Sequence, residues 1–194
     1  MTWSAQQYSK FELERTRPVR DLVAAIPSGA SGSVQRAVDL GCGPGNSTEV
    51  LLQRYPDADV SGVDNSADMI EAACKRMPAT RFELADIATW QADAPVDVIL
   101  ANASLQWLPD HQSLYPRLVN QLRDGGTLAV QTPDNLAEPA HLLSREVAAQ
   151  PRWRGKFGGQ PHPERHAPDF YFSLLRPICA GVDIWRTTYF HVLA

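Results

Sequence analysis

The chain has 194 residues, 44% of them hydrophobic and 21% charged, enough for one domain with a real core and too few for two of ordinary size. That mix excludes a disordered or fibrous protein. A net charge of -4 argues against nucleic acid or anionic lipid as partners, since both call for clustered positive charge.

At the N-terminus, MTWSAQQYSKFELERTRP is charged throughout and has no apolar stretch of the kind a signal peptide needs. No apolar run anywhere approaches the ~20 residues of a membrane span, so no membrane partner is expected. A polar helix is predicted over 16–26. Short β-branched apolar runs then alternate with helical stretches, the pattern of a parallel sheet wrapped by helices. The runs are 34–40, 58–64, 80–86, 96–102 and 126–132, each ending in a polar or turn residue, as buried parallel strands with ligand-contacting carboxyl ends should. Between them, Asn46 and Ser47 are cap candidates for one helix, and Asn65 or Ser66 for the next. A further helix is predicted over 111–122, with Gly125 and Gly126 as the turn into the fifth strand, and another near 138–149. Residues 150–168, rich in Gly, Pro and basic side chains, read as a loop or lid. A short helix near 168–176 and a last strand over 181–193 complete a single domain, 1–194.

Cys42, Cys74 and Cys179 are far apart, with no pair at metal-ligand spacing. The expectation is a reduced, metal-free, cytoplasmic protein.

The strongest chemical signal is DLGCGPGNS, residues 39–47, between an apolar strand and a helix. Gly41, Gly43 and Gly45 allow a tight turn that brings a ligand close to main-chain N–H groups at a helix N-terminus. Nineteen residues after Gly45, Asp64 ends the second strand, near the ~20-residue offset at which an acid grips ribose hydroxyls. A dinucleotide fingerprint starting at Gly41 would need a small residue where Asn46 stands, which disfavours a nicotinamide-dependent oxidoreductase. Asp39, just ahead of the loop, would repel a pyrophosphate and attract the cationic amino-acid portion of a sulfonium cofactor. That sign of charge selects S-adenosylmethionine. Cys42 reads as a small loop residue rather than a nucleophile, with no His nearby in sequence to activate it.

With these motifs the chain resembles the class I methyltransferases, whose first motif is an acid followed by GxGxG and whose second strand ends in a ribose-binding acid. The resemblance implies a doubly wound, Rossmann-like α/β fold. It also implies that Asp39, Gly41, Cys42 and Gly43 line the methionine side, and that Asp64 and Asn65 hold the ribose. By the same likeness Asp86 and Ile87 contact adenine, while Asn102 and Ala103 close over the cofactor.

The stretches 14–18 (ERTRP), 101–111 (ANASLQWLPDH), 131–135 (QTPDN) and 182–191 (VDIWRTTYFH) are similar to the trans-aconitate methyltransferase family. The likeness implies methylation of one carboxylate of that tricarboxylate to a monomethyl ester, and it implies a helical cap and a final strand following the 182–191 segment; with the sequence ending at Ala194, both are expected to be missing here. A carboxylate is ionised at neutral pH, so no catalytic base is assigned. A polyanionic substrate does need local positive charge, and 15 of the 18 basic residues are Arg, the side chain that grips carboxylates at two points. Arg17 and Arg186, with Arg154 and Lys156 in the basic segment, are the candidates; Tyr8 and Tyr189 are hydrogen-bond donors, and Trp107 a pocket wall. Two alternatives stay open: a cofactor-binding chain without turnover, or a methyltransferase for another small carboxylic acid.

Overall fold

The structure, a computed structural model, describes residues 12–27, 33–153, 156 and 166–190. Five strands carry the architecture: β1 (Arg36–Leu40), β2 (Asp59–Asp64), β3 (Arg81–Leu84), β4 (Val96–Asn102) and β5 (Leu122–Gln131). They form one sheet in the order β3-β2-β1-β4-β5, with every neighbouring pair parallel. The helices are α1 (Glu12–Ala25), α2 (Asn46–Arg54), α3 (Ala67–Arg76), α4 (His111–Val119), α5 (Pro139–Ala149) and α6 (Pro168–Leu175).

A parallel sheet must be covered on both faces, and alternation along each strand divides the core accordingly. On one face Ala37, Val60, Val98 and Leu100 pack against Val19, Leu22 and Val23 of α1, Ile26 just past its end, and Val50 and Leu51 of α2. The 19, 22, 23, 26 spacing is one face of a helix. On the other face Val38, Leu40, Val63, Ile99 and Ala101 pack against Leu114, Tyr115 and Leu118 of α4. Each fully buried Leu among these contributes roughly 1.5–3 kcal/mol, and the central strands gain most because both faces are covered.

Chain order reverses between β1 and β4, which lie side by side although two strands separate them in sequence. That reversal opens a crevice at the carboxyl edge, the place where doubly wound sheets bind ligands. No helix covers the connection from β3 to β4. Segment 85–95 instead buries Ile87 and Trp90 in the α4-side core, held there by Arg117 of α4, which donates from Nη1 to the Trp90 carbonyl at 2.6 Å and from Nη2 to the Ile87 carbonyl at 2.8 Å.

Several expectations are corrected. The predicted last strand is not formed over 181–190, where the backbone pairs with no strand among the described residues, and 191–193 lie outside them. A β-rich sequence becomes a strand only where a partner supplies the ladder, and β5 takes none on its outer side among the described residues. Gly125 and Gly126 lie inside β5, which starts at Leu122; a shift in register between Val96 and Val98 absorbs them. The cap of α2 is Gly45, left-handed at φ 90, and Asn46 and Ser47 are helical residues. Ser66 does precede α3, without a side-chain cap bond. Within the basic segment, Pro151–Trp153 form a 3-10 turn, Arg152 and Lys156 lie over the Trp153 ring at 5.5 and 5.6 Å, and Arg154 lies outside the described residues.

Candidate active site at the carboxyl edge

The glycine loop is tied to the end of β2. The N–H groups of Gly41 and Cys42 both donate to the Val63 carbonyl, at 2.7 and 3.0 Å. The Asp64 carboxylate then ties the loop to the start of α3, accepting from the Gly43 N–H at 2.9 Å through Oδ2 and from the Ser66 N–H at 2.9 Å through Oδ1. Each carboxylate oxygen has a second lone pair, so Asp64 orders the loop and keeps acceptor capacity for hydroxyl groups. Asn65, next in the chain, is exposed.

Two glycines are required by geometry. A β-carbon at Gly41, φ 80, would lie 2.2 Å from the Ser104 Cβ, so the loop passes directly against the turn after β4. At Gly43, φ 53, a β-carbon would meet nothing within 4 Å; the space above this residue is open.

Asp39 is fully buried on β1. It pairs in register with Leu100 of β4, so Asp39, Leu100 and Asn102 share one face of the sheet. Its Oδ2 accepts from the hydroxyls of Ser47 and Thr48, both at 2.7 Å. This explains why two hydroxyl residues occupy the buried side of the first turn of α2. Burial pushes the Asp39 carboxyl up from 3.8 to about 6, opposed by those two hydroxyls and reinforced by the nearby charge of Asp64. Beside it, burial and then the charges of Asp39 and Asp64 push the Cys42 thiol far up, so that it stays protonated. A thiol in that state is no nucleophile.

At the remaining strand ends, Asp86 is exposed and its Oδ1 accepts from the Ala88 N–H at 2.8 Å, while Ile87 is buried. Asn102 closes β4, followed by Ala103 in the left-handed region at φ 54. The oxygens Asp39 Oδ1 and Asn102 Oδ1 are buried and have no hydrogen-bond partner among the described residues. Buried polar atoms are rarely left so. Two orphaned acceptors facing one side of the β1–β4 crevice fit a ligand that brings positive N–H groups, as the amino-acid end of S-adenosylmethionine does.

The expected substrate residues separate into two places. The Arg17 guanidinium lies over the Tyr189 ring at 5.1 Å, and Tyr189 donates to Asp21 at 2.7 Å. Arg186 is ion-paired with Asp134 at 2.6 Å, both well exposed. Trp107, on the 3-10 turn Leu105–Trp107, is 46% exposed. Tyr8 lies outside the described residues.

Sequence reasoning missed three side chains that hold the site. Ser104 donates to the Leu40 carbonyl at 2.6 Å, locking the β4 turn onto the glycine loop. His111 is buried, with Nε2 at 2.9 Å from the Leu105 carbonyl and Nδ1 at 2.7 Å from the Tyr171 hydroxyl. A carbonyl only accepts, so Nε2 carries the proton and Tyr171 donates to Nδ1. Arg117 fixes the backbone that carries Ile87. Ser104 could have been found as a polar residue just past a strand end; His111 and Arg117, on α4, carry no such signal.

A family model described as a methyltransferase domain matches residues 37–126, from β1 to the glycines of β5. The chain is 50% identical to the trans-aconitate 2-methyltransferase of Rhizobium etli over 196 residues, covering 100% of this chain and 75% of that one. With the enzyme of the same name from Rhodopseudomonas palustris (strain HaA2), identity is 50% over 193 residues, 98% of this chain and 74% of its relative. Among solved structures, the plantazolicin methyltransferase BpumL in complex with a triazolic analog and SAH is similar at TM-score 0.64 and 18% identity, over 89% of this chain and 67% of that one. The SAM-bound amino pentose methyltransferase CalS10 from Micromonospora echinaspora matches at TM-score 0.52 and 22% identity, over 66% and 54%. At such identities these two bear on the fold alone: the sheet is that of the methyltransferases. Among the described residues no helix is long and apolar enough to cross a membrane, and no group of three or more His, Cys, Asp or Glu is placed to hold a metal ion.

Proposed function

The chain belongs to the trans-aconitate 2-methyltransferase family, and we propose that it transfers the methyl group of S-adenosylmethionine to one carboxylate of trans-aconitate or a closely related polycarboxylate. The products are the monomethyl ester and S-adenosylhomocysteine. The observation that carries this reading is identity of 50% sustained over 100% of the chain.

S-adenosylmethionine supplies an electrophilic methyl group when bound. The residues that would hold it stand at consecutive strand ends: Asp39, Gly41, Cys42, Gly43 and Asn102 toward the amino-acid portion, Asp64 and Asn65 toward the ribose, Asp86 and Ile87 toward the adenine, and Ala103 closing the turn. Support comes from the orphaned acceptors of Asp39 and Asn102 and from the remaining lone pairs of Asp64.

The acceptor needs no proton removed, because a carboxylate with a pKa of about 4 is already ionised. The protein's task is therefore orientation, which is worth roughly 7–11 kcal/mol when reacting atoms are held in line. Arg17 and Arg186 would neutralise the polyanion, with Tyr189 and Tyr8 as hydrogen-bond donors and Trp107 as a wall. Arg17 and Tyr189 already adjoin one another. Arg186 is held by a carboxylate, Asp134, and an exposed pair of this kind exchanges partners at little cost. The free state of Cys42, Cys74 and Cys179 and the net charge of -4 favour a cytoplasmic enzyme with no nucleic acid partner.

Incubation with methyl-labelled S-adenosylmethionine and a panel of di- and tricarboxylates tests the assignment. Label should enter trans-aconitate in preference to the other acids. Transfer to a different acid would shift the substrate, and cofactor binding without any transfer would leave a binding protein.

A further inference from the structure

Gln106 carries a third buried oxygen of the same kind. The residue is 5% exposed, and its Nε2 donates to the Ala103 carbonyl at 2.7 Å. One N–H of the amide is engaged there, and Oε1 is buried with no hydrogen-bond partner among the described residues. Ala103 in turn is anchored by its N–H, which donates to the Gln131 carbonyl of β5 at 2.9 Å. The amide is thus held rigidly at the carboxyl end of β4, one turn beyond Asn102.

Asp39 Oδ1, Asn102 Oδ1 and Gln106 Oε1 are all buried acceptors without a partner among the described residues; Asp39 lies near the end of β1, Asn102 closes β4, and Gln106 sits on the 3-10 turn that follows β4. An unmet buried acceptor is costly, so a ligand that donates to it gains more than it would in water. The substrate of the proposed reaction is a polyanion, which offers acceptors and would be repelled. An ammonium group has three N–H donors and no lone pair. We propose that Gln106 is a further cofactor-binding residue, its Oε1 accepting from the ammonium group of the amino-acid portion of S-adenosylmethionine. This rests on the cofactor reading above and assigns to one of its groups a partner beyond both the glycine loop and Asn102.

The test compares S-adenosylhomocysteine with 5′-methylthioadenosine, which keeps the nucleoside and lacks the amino acid, by calorimetry on the full chain. Gln106→Met keeps the length and removes the amide. It should weaken S-adenosylhomocysteine about 10- to 100-fold, the range for a hydrogen bond to a charged group, and leave 5′-methylthioadenosine unchanged. Equal loss for both ligands would show that Gln106 only shapes the turn through Ala103, and unchanged affinity for both would remove it from the site; either result overturns the proposal. Gln106→Glu gives up the donor to the Ala103 carbonyl but sets a carboxylate toward the ammonium, so S-adenosylhomocysteine should bind at least as well relative to 5′-methylthioadenosine as in the wild type, which carries the test if the Met variant does not fold. A ratio lowered in the Glu variant contradicts the proposal. Wild-type protein that binds neither ligand would instead overturn the cofactor reading itself.

Discussion

Gly41 and Ser104 face each other so closely that a β-carbon on the glycine would lie 2.2 Å from the serine Cβ, while the serine hydroxyl bonds the carbonyl of Leu40 at 2.6 Å. The loop after β1 and the turn after β4 are therefore one rigid unit across the crevice. Gly41→Ala brings both an overpacked contact and a left-handed φ of 80; together these should cost about 2–5 kcal/mol. Urea denaturation should show that loss, with S-adenosylhomocysteine binding abolished. Wild-type stability in this variant would mean that the two loops are not in contact.

Asp64 holds two backbone N–H groups at once. Asp64→Asn keeps the size but must turn an NH2 toward one of those donors, so both loop order and ribose affinity decline. Calorimetry with S-adenosylhomocysteine should show a loss of about 10- to 100-fold, equivalent to one or two charge-assisted hydrogen bonds.

Asp39 gives a pH dependence of definite sign. Its carboxyl is raised from 3.8 to about 6, chiefly by burial. The folded state then holds this proton more tightly than the unfolded chain, so the contribution to stability is complete below pH 3.8 and is lost as pH rises through about 6. A shift of that size corresponds to about 3 kcal/mol at most. Asp39→Asn removes the decline: without cofactor, the variant should be more stable than wild type above about pH 7, by up to that amount. Its affinity for S-adenosylmethionine should fall about tenfold or more through loss of the charge. Parallel denaturation series at acid and neutral pH, with and without ligand, check both halves.

Arg17 and Arg186 are proposed to meet the substrate rather than the cofactor. Replacing either by Ala should raise KM for the polycarboxylate several-fold, on the order of 1 kcal/mol or more per lost charge-assisted bond, with cofactor affinity intact. Asp134→Ala releases Arg186 from its carboxylate partner and should lower KM or leave it unchanged. A raised KM in the Asp134 variant would place that acid in the substrate site instead.

The strands that shape the crevice were legible because buried parallel strands must be apolar along their length and polar at their ends. Val96–Asn102 has the predicted bounds, and the glycine loop, Asp64 and Asn102 stand where their motifs put them. What escaped was information that only neighbours supply. The β-branched segment 181–190 has no strand partner among the described residues, and strand formation depends on an adjacent ladder, which a sequence does not display. Ser47 reads as a cap from its position; its hydroxyl serves Asp39 instead, a partner eight residues earlier on another element. Ser104 and Gln106 look like ordinary loop polars and His111 like the polar start of a helix, and only their burial reveals that each fixes a carbonyl of the site. Arg117 is similar, an arginine on an amphipathic helix whose two carbonyl partners lie 27 and 30 residues earlier.

The central claim is that a sulfonium cofactor lies across the carboxyl edge, its cationic end toward Asp39 and its ribose on Asp64. A crystal structure grown with saturating S-adenosylhomocysteine measures this directly. The account predicts ligand density between the glycine loop and the end of β4, with ribose hydroxyls on the Asp64 carboxylate and the ammonium among the oxygens of Asp39, Asn102 and Gln106. An empty crevice, or ligand bound elsewhere on the chain, would contradict it.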